Sequence, residues 1–118
     1  MTEACDLTAV EARTRIGRKQ LSPVELLESC ISRIEAVDPA VNAMVARDFA
    51  SARTQAKAAE AAVMRGAALG ALHGLPVGIK DLNVTKGLRT TWGSPIFRDH
   101  VPAEDEAMVA NIRAAGGW

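Results

Sequence analysis

Two helix-start signals near the front of the chain do most to restrict what it can fold into. Thr8-Ala-Val-Glu11 is a capping box: the Thr8 hydroxyl accepts from the N3 backbone N–H while Glu11 reaches back to the N-cap amide. Ser22-Pro-Val-Glu25 is a second box, with Pro23 at N1, where its missing donor costs nothing. The first predicts a helix over residues 9–19. The second opens onto Leu26, Leu27, Cys30, Ile31 and Ile34, which repeat at helical spacing and make one apolar stripe. Asp38 precedes Pro39, and a residue before proline disfavours helical geometry, so this helix is expected to end near Val37.

The next segments read less uniformly. Residues 41–47 (VNAMVAR) are a short strand candidate. Residues 49–65 are Ala-rich with strong helix propensity, and Gly66 can close that helix. After a glycine-spaced connection, residues 75–80 (LPVGIK) read as a strand. Thr85 to His100 is rich in Thr, Gly and Pro and reads mostly as loop. Asp105 is the expected N-cap of a last helix, with Met108, Val109 and Ile112 on its inner face and Gly116 at its end.

Aromatic residues are 3% of the chain and Tyr is absent, so the core must come from Ala, Val, Leu and Ile. Only two or three short strands are expected, and so small a sheet is marginal alone. A strand is expected after the last helix, yet the chain stops at Gly117-Trp118. The pattern predicts an α/β fold of which this is the opening third or less. Residues 1–66 form its helical N-terminal region and residues 67–118 the start of the sheet core, all within one domain.

Charge narrows the function. Lys plus Arg and Asp plus Glu number 14 each, so the net charge is zero. This leaves no electrostatic footprint for nucleic acid or an anionic membrane. Cys5 and Cys30 match no metal or redox spacing and read as two free thiols of a cytosolic protein. The N-terminus lacks the basic start and apolar run of a signal peptide, and no stretch approaches the length of a membrane span. His73 and His100 are far apart and read as loop histidines rather than metal ligands.

One charged side chain stands out. Residues 73–82 read HGLPVGIKDL, and Lys80 closes a run otherwise suited to burial. In a strand, Leu75, Val77 and Ile79 share one face and Pro76, Gly78 and Lys80 the other. Gly78 then leaves space beside the amine for a ligand or another backbone. Partial burial would favour a neutral lysine able to accept a proton. Tuning it from about 10.4 to about 7–8 costs roughly 4 kcal/mol, which a site must supply. A lysine at a strand end also snorkels to water, and pattern alone leaves that reading open. Asp81 points to the opposite face and is free to cap the following turn.

Other motifs fail. Val77-Gly-Ile-Lys80 lacks the upstream G-x-G-x-x-G of a kinase, since Gly66, Gly70 and Gly74 are spaced by four. Gly78 is not followed directly by lysine, as a phosphate loop requires, and G-x-S-x-G is absent.

The wider stretch resembles the amidase signature family. Leu72-His-Gly-Leu-Pro-Val-Gly-Ile-Lys-Asp81 is similar to the surroundings of its catalytic lysine. Lys86-Gly-Leu-Arg-Thr-Thr-Trp-Gly-Ser94, Val101-Pro-Ala-Glu-Asp105 and Ile112-Arg-Ala-Ala-Gly-Gly117 follow in the family's order. Upstream, Leu21-Ser-Pro-Val-Glu-Leu26 and Arg33-Ile-Glu-Ala-Val-Asp-Pro39 fit its N-terminal helices. The resemblance implies a mixed β-sheet core with helices on both faces. It also implies a Ser–Ser–Lys hydrolase of small-molecule amides that uses no cofactor and has no direct nucleic-acid or membrane partner. A homodimer of the full-length form is compatible with it. Lys80 matches the catalytic lysine. The family's two serines belong to a downstream Ser/Gly-rich segment that this sequence does not contain, and Ser94 is not in the nucleophile's motif. The expectation is therefore a truncated chain that is inactive alone. The alternatives are the amidase-like subunit of a tRNA-dependent amidotransferase and a non-catalytic fragment acting as a binding module.

Overall fold

The computed structural model describes residues 3–118. Both capping boxes form. Thr8 Oγ1 accepts from Glu11 N at 3.1 Å, and α1 runs Ala9–Gly17. Ser22 Oγ accepts from Val24 N at 3.0 Å, while Ser22 N donates to Glu25 at 3.1 Å, opening α2 over Pro23–Val41. A 3-10 turn, Ala4–Asp6, precedes them. Helix α3 spans Phe49–Met64, with the Asp48 carboxylate accepting from Ser51 N at 3.0 Å. Gly66 comes next with φ +74°, a left-handed turn that glycine takes without strain.

Helix α2 does not stop at Val37. It passes through Pro39 and ends at Val41. Pro39 lies in the last turn, so its missing N–H removes only one helical bond. The buried Asp38 carboxylate fixes the chain just past the helix. It accepts from Ala43 N at 2.7 Å and Met44 N at 3.2 Å and pairs with Arg47. Asn42 takes the left-handed cap, φ 54°, and its N–H donates to Asp38 O. This cluster also explains why residues 41–47 form no strand: the backbone donors of Ala43 and Met44 are spent on Asp38.

The core is aliphatic. Ala12, Ile16, Leu26, Val63 and Leu75 make one cluster, joining α1, α2, α3 and the segment after α3. Leu27, Ile31 and Ala56 make a second between α2 and α3, with Trp118 packed against it. Across the surface of that helix pair, Arg53 meets Glu28 at 2.7 Å and Ser22 bonds Glu60. The charged face of α3 is thus partly tied to α2.

The last helix, α4, runs Ala107–Ala114, and its N-cap is Glu106, not Asp105. Asp105 instead accepts from Lys86 N at 2.7 Å and pairs with Arg113 at 2.8 Å. Of the expected inner face, Val109 is buried and Ile112 half-buried, but Met108 is exposed.

Among the described residues no β-strand forms, so the mixed sheet is not present in this part of the chain. Residues 75–80 nonetheless carry no helix or turn, and Leu75 to Val77 run extended beside Trp118. Trp118 N donates to Leu75 O at 3.2 Å and Val77 N donates to Trp118 O at 2.6 Å. That alternation is one rung of parallel pairing. A ladder needs a run of facing residues, and here a single residue supplies the rung. Upstream, Leu72 N bonds Ala115 O and Gly74 N bonds Gly116 O, so residues 72–77 lie along residues 115–118. The close approach requires glycine: a Cβ on Gly116 would lie 2.8 Å from His73 Cα.

Candidate active site

Lys80 stands at the end of the extended segment, and its side chain is exposed. Leu75 anchors that segment in the core, and the open space next to the lysine is real: a Cβ built on Gly78 meets nothing within 4 Å. Val77, expected to share the face of Leu75, is 36% exposed. The partial burial asked of Lys80 is not supplied by these residues. Its neighbours leave it reaching into solvent, the alternative that the sequence left open.

Asp81 does not pair with Lys80. Its carboxylate accepts from Thr91 N at 2.7 Å and from the Thr91 hydroxyl, and its backbone carbonyl accepts from Trp92 N at 3.0 Å. The Thr91 hydroxyl, then the Thr91 and Gly93 amides and the Arg89 guanidinium, hold this carboxyl below its usual range despite some desolvation. Asp81 therefore ties the lysine segment to the Thr91–Gly93 turn. Trp92 has φ 51° and donates Nε1–H to Leu82 O at 3.1 Å. Its ring stacks on His100 at 5.2 Å and meets Phe97 edge-on at 4.9 Å. A second tie holds the base of the loop, where Glu106 accepts from Asn83 Nδ2 at 2.6 Å and Val84 N at 3.0 Å. The lysine thus projects from a turn braced on both sides, with an exposed aromatic cluster on the loop.

His73 Nε2 lies 2.9 Å from Ala59 O and pins the turn before the lysine segment to α3. Glu3, Cys5 and Asp6 bring possible metal-ligand atoms within 4.8 Å of one another, but Arg33 pairs both carboxylates, at 3.3 and 3.1 Å. A cleft of about 420 Å³ between residues 44–48 and 87–89 carries two arginines. Arg47 is engaged by Asp38, and Arg89 donates to Val45 O. Sequence reading missed the Asp81–Thr91 and Glu106–Asn83 ties. Their partners lie far apart along the chain, and no local spacing marks them.

The model of the family described as Amidase matches residues 25–118. The chain belongs to the amidase family. It is 42% identical over 116 residues to the A subunit of a glutamyl-tRNA(Gln) amidotransferase from Roseiflexus castenholzii, covering 98% of this chain and 24% of that protein. It is also 42% identical over 116 residues to a putative amidase, AmiD, of Mycobacterium tuberculosis, covering 98% and 23%. Among solved structures, a bacterial aryl acylamidase of the amidase signature family superposes with a TM-score of 0.86 at 30% identity, over 94% of this chain and 24% of that one. The chain thus spans about a quarter of the length of the relatives it matches. No helix among the described residues is long and apolar enough to cross a membrane.

Proposed function

We propose that this chain carries the lysine end of an amide-hydrolysing site, with Lys80 as the terminal proton acceptor of a Ser–Ser–Lys relay. The family match through Lys80 carries the reading. The placement of this amine, at the end of an extended segment with open space beside Gly78, supports it. In such a relay the neutral amine takes a proton from a bridging serine. That serine deprotonates the attacking serine, whose oxygen adds to the amide carbonyl. The leaving amine departs protonated, and water cleaves the acyl-enzyme. The relay's serines and oxyanion donors belong to segments beyond residues 1–118, as does the contact that desolvates Lys80. The substrate class is a small amide, and residues 1–118 act as the first part of a single amidase domain.

The test is a chimera joining residues 1–118 to the remaining length of the AmiD relative. The 118-residue chain alone is expected to show no amide hydrolysis. The chimera should be active, and Lys80→Ala should cut kcat by at least about 100-fold, the usual scale for a lost general base. A Lys80→Ala chimera with undiminished turnover would remove the lysine from the mechanism.

A second reading is favoured by the equal identity to the glutamyl-tRNA(Gln) amidotransferase relative. In that reading the same lysine serves amide chemistry within a larger assembly. Joining residues 1–118 to the rest of that relative separates the two. Turnover of simple amides supports the stand-alone amidase; turnover only with glutamyl-tRNA(Gln) and its partner subunits supports the second reading.

A further inference from the structure

Cys5 and Cys30 lie on one apolar cavity of about 400 Å³, and its lining includes Leu72, Leu75, Pro76 and Val77 of the segment that leads to Lys80. Both thiols are reduced and half-buried. Cys5 sits on the terminal 3-10 turn, and its backbone N–H donates to Ser29 Oγ at 3.0 Å, which fixes that turn against the residue preceding Cys30. Cys30 is in the middle of α2. One partner is therefore on a three-residue turn that Ser29 and Arg33 hold against α2, and the other is on α2 itself. That anchorage brings both thiols to one cavity wall, the proximity a disulfide requires.

We propose that Cys5 and Cys30 form a reversible disulfide that staples the terminal turn to α2 and narrows the apolar cavity behind the lysine segment. The oxidant is a low-molecular-weight disulfide. The Cys5 thiolate attacks one of its sulfurs, making a mixed disulfide and releasing one small thiolate. The Cys30 thiolate then attacks the Cys5 sulfur and releases the second. Two protein thiols lose two protons and two electrons, and the small disulfide becomes two thiols. Burial, and then the neighbouring Cys5 thiol, push the Cys30 thiol up, with some opposition from Arg33. This suits Cys30 to the resolving step rather than the first attack. In a reducing compartment the bond is transient, as a sensor requires.

Intact mass and a non-reducing peptide map of the 118-residue chain, equilibrated in oxidised and reduced glutathione, test this. The expected product is a monomer lighter by two hydrogens, with the Cys5 and Cys30 peptides linked. The same titration in urea sets the baseline for an unfolded chain, and the native state should favour the bond by about tenfold or more in glutathione ratio. Cys5→Ser and Cys30→Ser should each leave only a mixed disulfide. Glutathione adducts on both cysteines of the wild type, intermolecular dimers alone, no reaction, or a native preference no greater than that in urea would each overturn the proposal.

Discussion

Two glycines with the same backbone sign separate two costs. Gly66 has φ +74° and open space where a Cβ would stand, whereas Gly74 has φ +80° and a Cβ there would lie 2.9 Å from Pro23 Cγ. Gly66→Ala carries only the left-handed penalty, about 1 kcal/mol. Gly74→Ala adds a clash with a fully buried proline, bringing the total to about 2–4 kcal/mol. Urea melts of the two variants should show Gly74→Ala the more damaging; equal losses would mean that Pro23 yields. Neither difference is visible in the sequence, where both glycines belong to one spaced series. The lysine shows the same limit. Its position at the end of an extended segment was legible from alternation and from Gly78. Its exposure was one of two readings that the pattern left open, because burial depends on what packs over the segment.

Carboxylates at this scale also set a pH dependence. Asp81 is held below its ordinary value of 3.8 mainly by the Thr91 hydroxyl and amide. Asp38 is held below the same value mainly by Ala43 N, with Arg47 contributing. A lowered folded value means the unfolded chain binds the proton more readily. The stability each provides is complete above the unfolded value and is lost as pH falls through the folded one. Thermal melts from neutral pH downward should be level until the ordinary carboxylate range and then decline. Asp38→Asn should flatten that decline, and a decline of unchanged steepness in the variant would place its origin elsewhere.

At the scale of elements, the helix starts were the most legible feature because their chemistry is local. Each capping box is four residues long and needs no tertiary partner. Helix ends and caps set by distant groups were not legible. Asp38 reaches forward to Ala43 and Arg47, which carries α2 past Pro39. Asp105 is drawn to Lys86 N and Arg113, which leaves the α4 cap to Glu106. Strand readings failed for a related reason: a strand exists only with a neighbour, and the sequence of residues 75–80 cannot report one. The two boxes make unequal predictions. Thr8→Ala removes one cap on an exposed helix start and should cost about 1 kcal/mol. Ser22→Ala removes a cap and the bond to Glu60 on α3 together, so its cost should be larger, about 2 kcal/mol. Denaturant midpoints of the two variants check the order, and Glu60→Gln should recover part of the difference if the α2–α3 bond is its source.

The whole molecule is looser than its length requires. Its radius of gyration is 14.8 Å, against roughly 13.5 Å for a compact chain of this size. Ile96 is 86% exposed and Val10 77%, and Leu82, Phe97 and Trp92 on the lysine side are also open to solvent. One buried donor, Trp118 Nε1, has no acceptor among the described residues. It belongs to the residue that forms the parallel rung with Leu75 and Val77. Most of these features gather around the extended segment and its loop, while the α1–α3 side holds both aliphatic clusters. Unfolding should therefore divide along that line. Hydrogen exchange on the 118-residue chain should show α2 and the core-facing part of α3 as the slowest amides, with the exposed loop tip of residues 93–99 exchanging fastest. In the chimera with the remaining length of a relative, the protection of α2 should change little. Val77 N is already bonded to Trp118 O, so the amides to watch are those of Gly78 and Ile79, which should slow by at least about tenfold if an adjoining strand completes the ladder. If those two amides exchange equally fast in both forms, the lysine segment has no neighbour in the longer chain, and the reading of residues 75–80 as a strand fails with it.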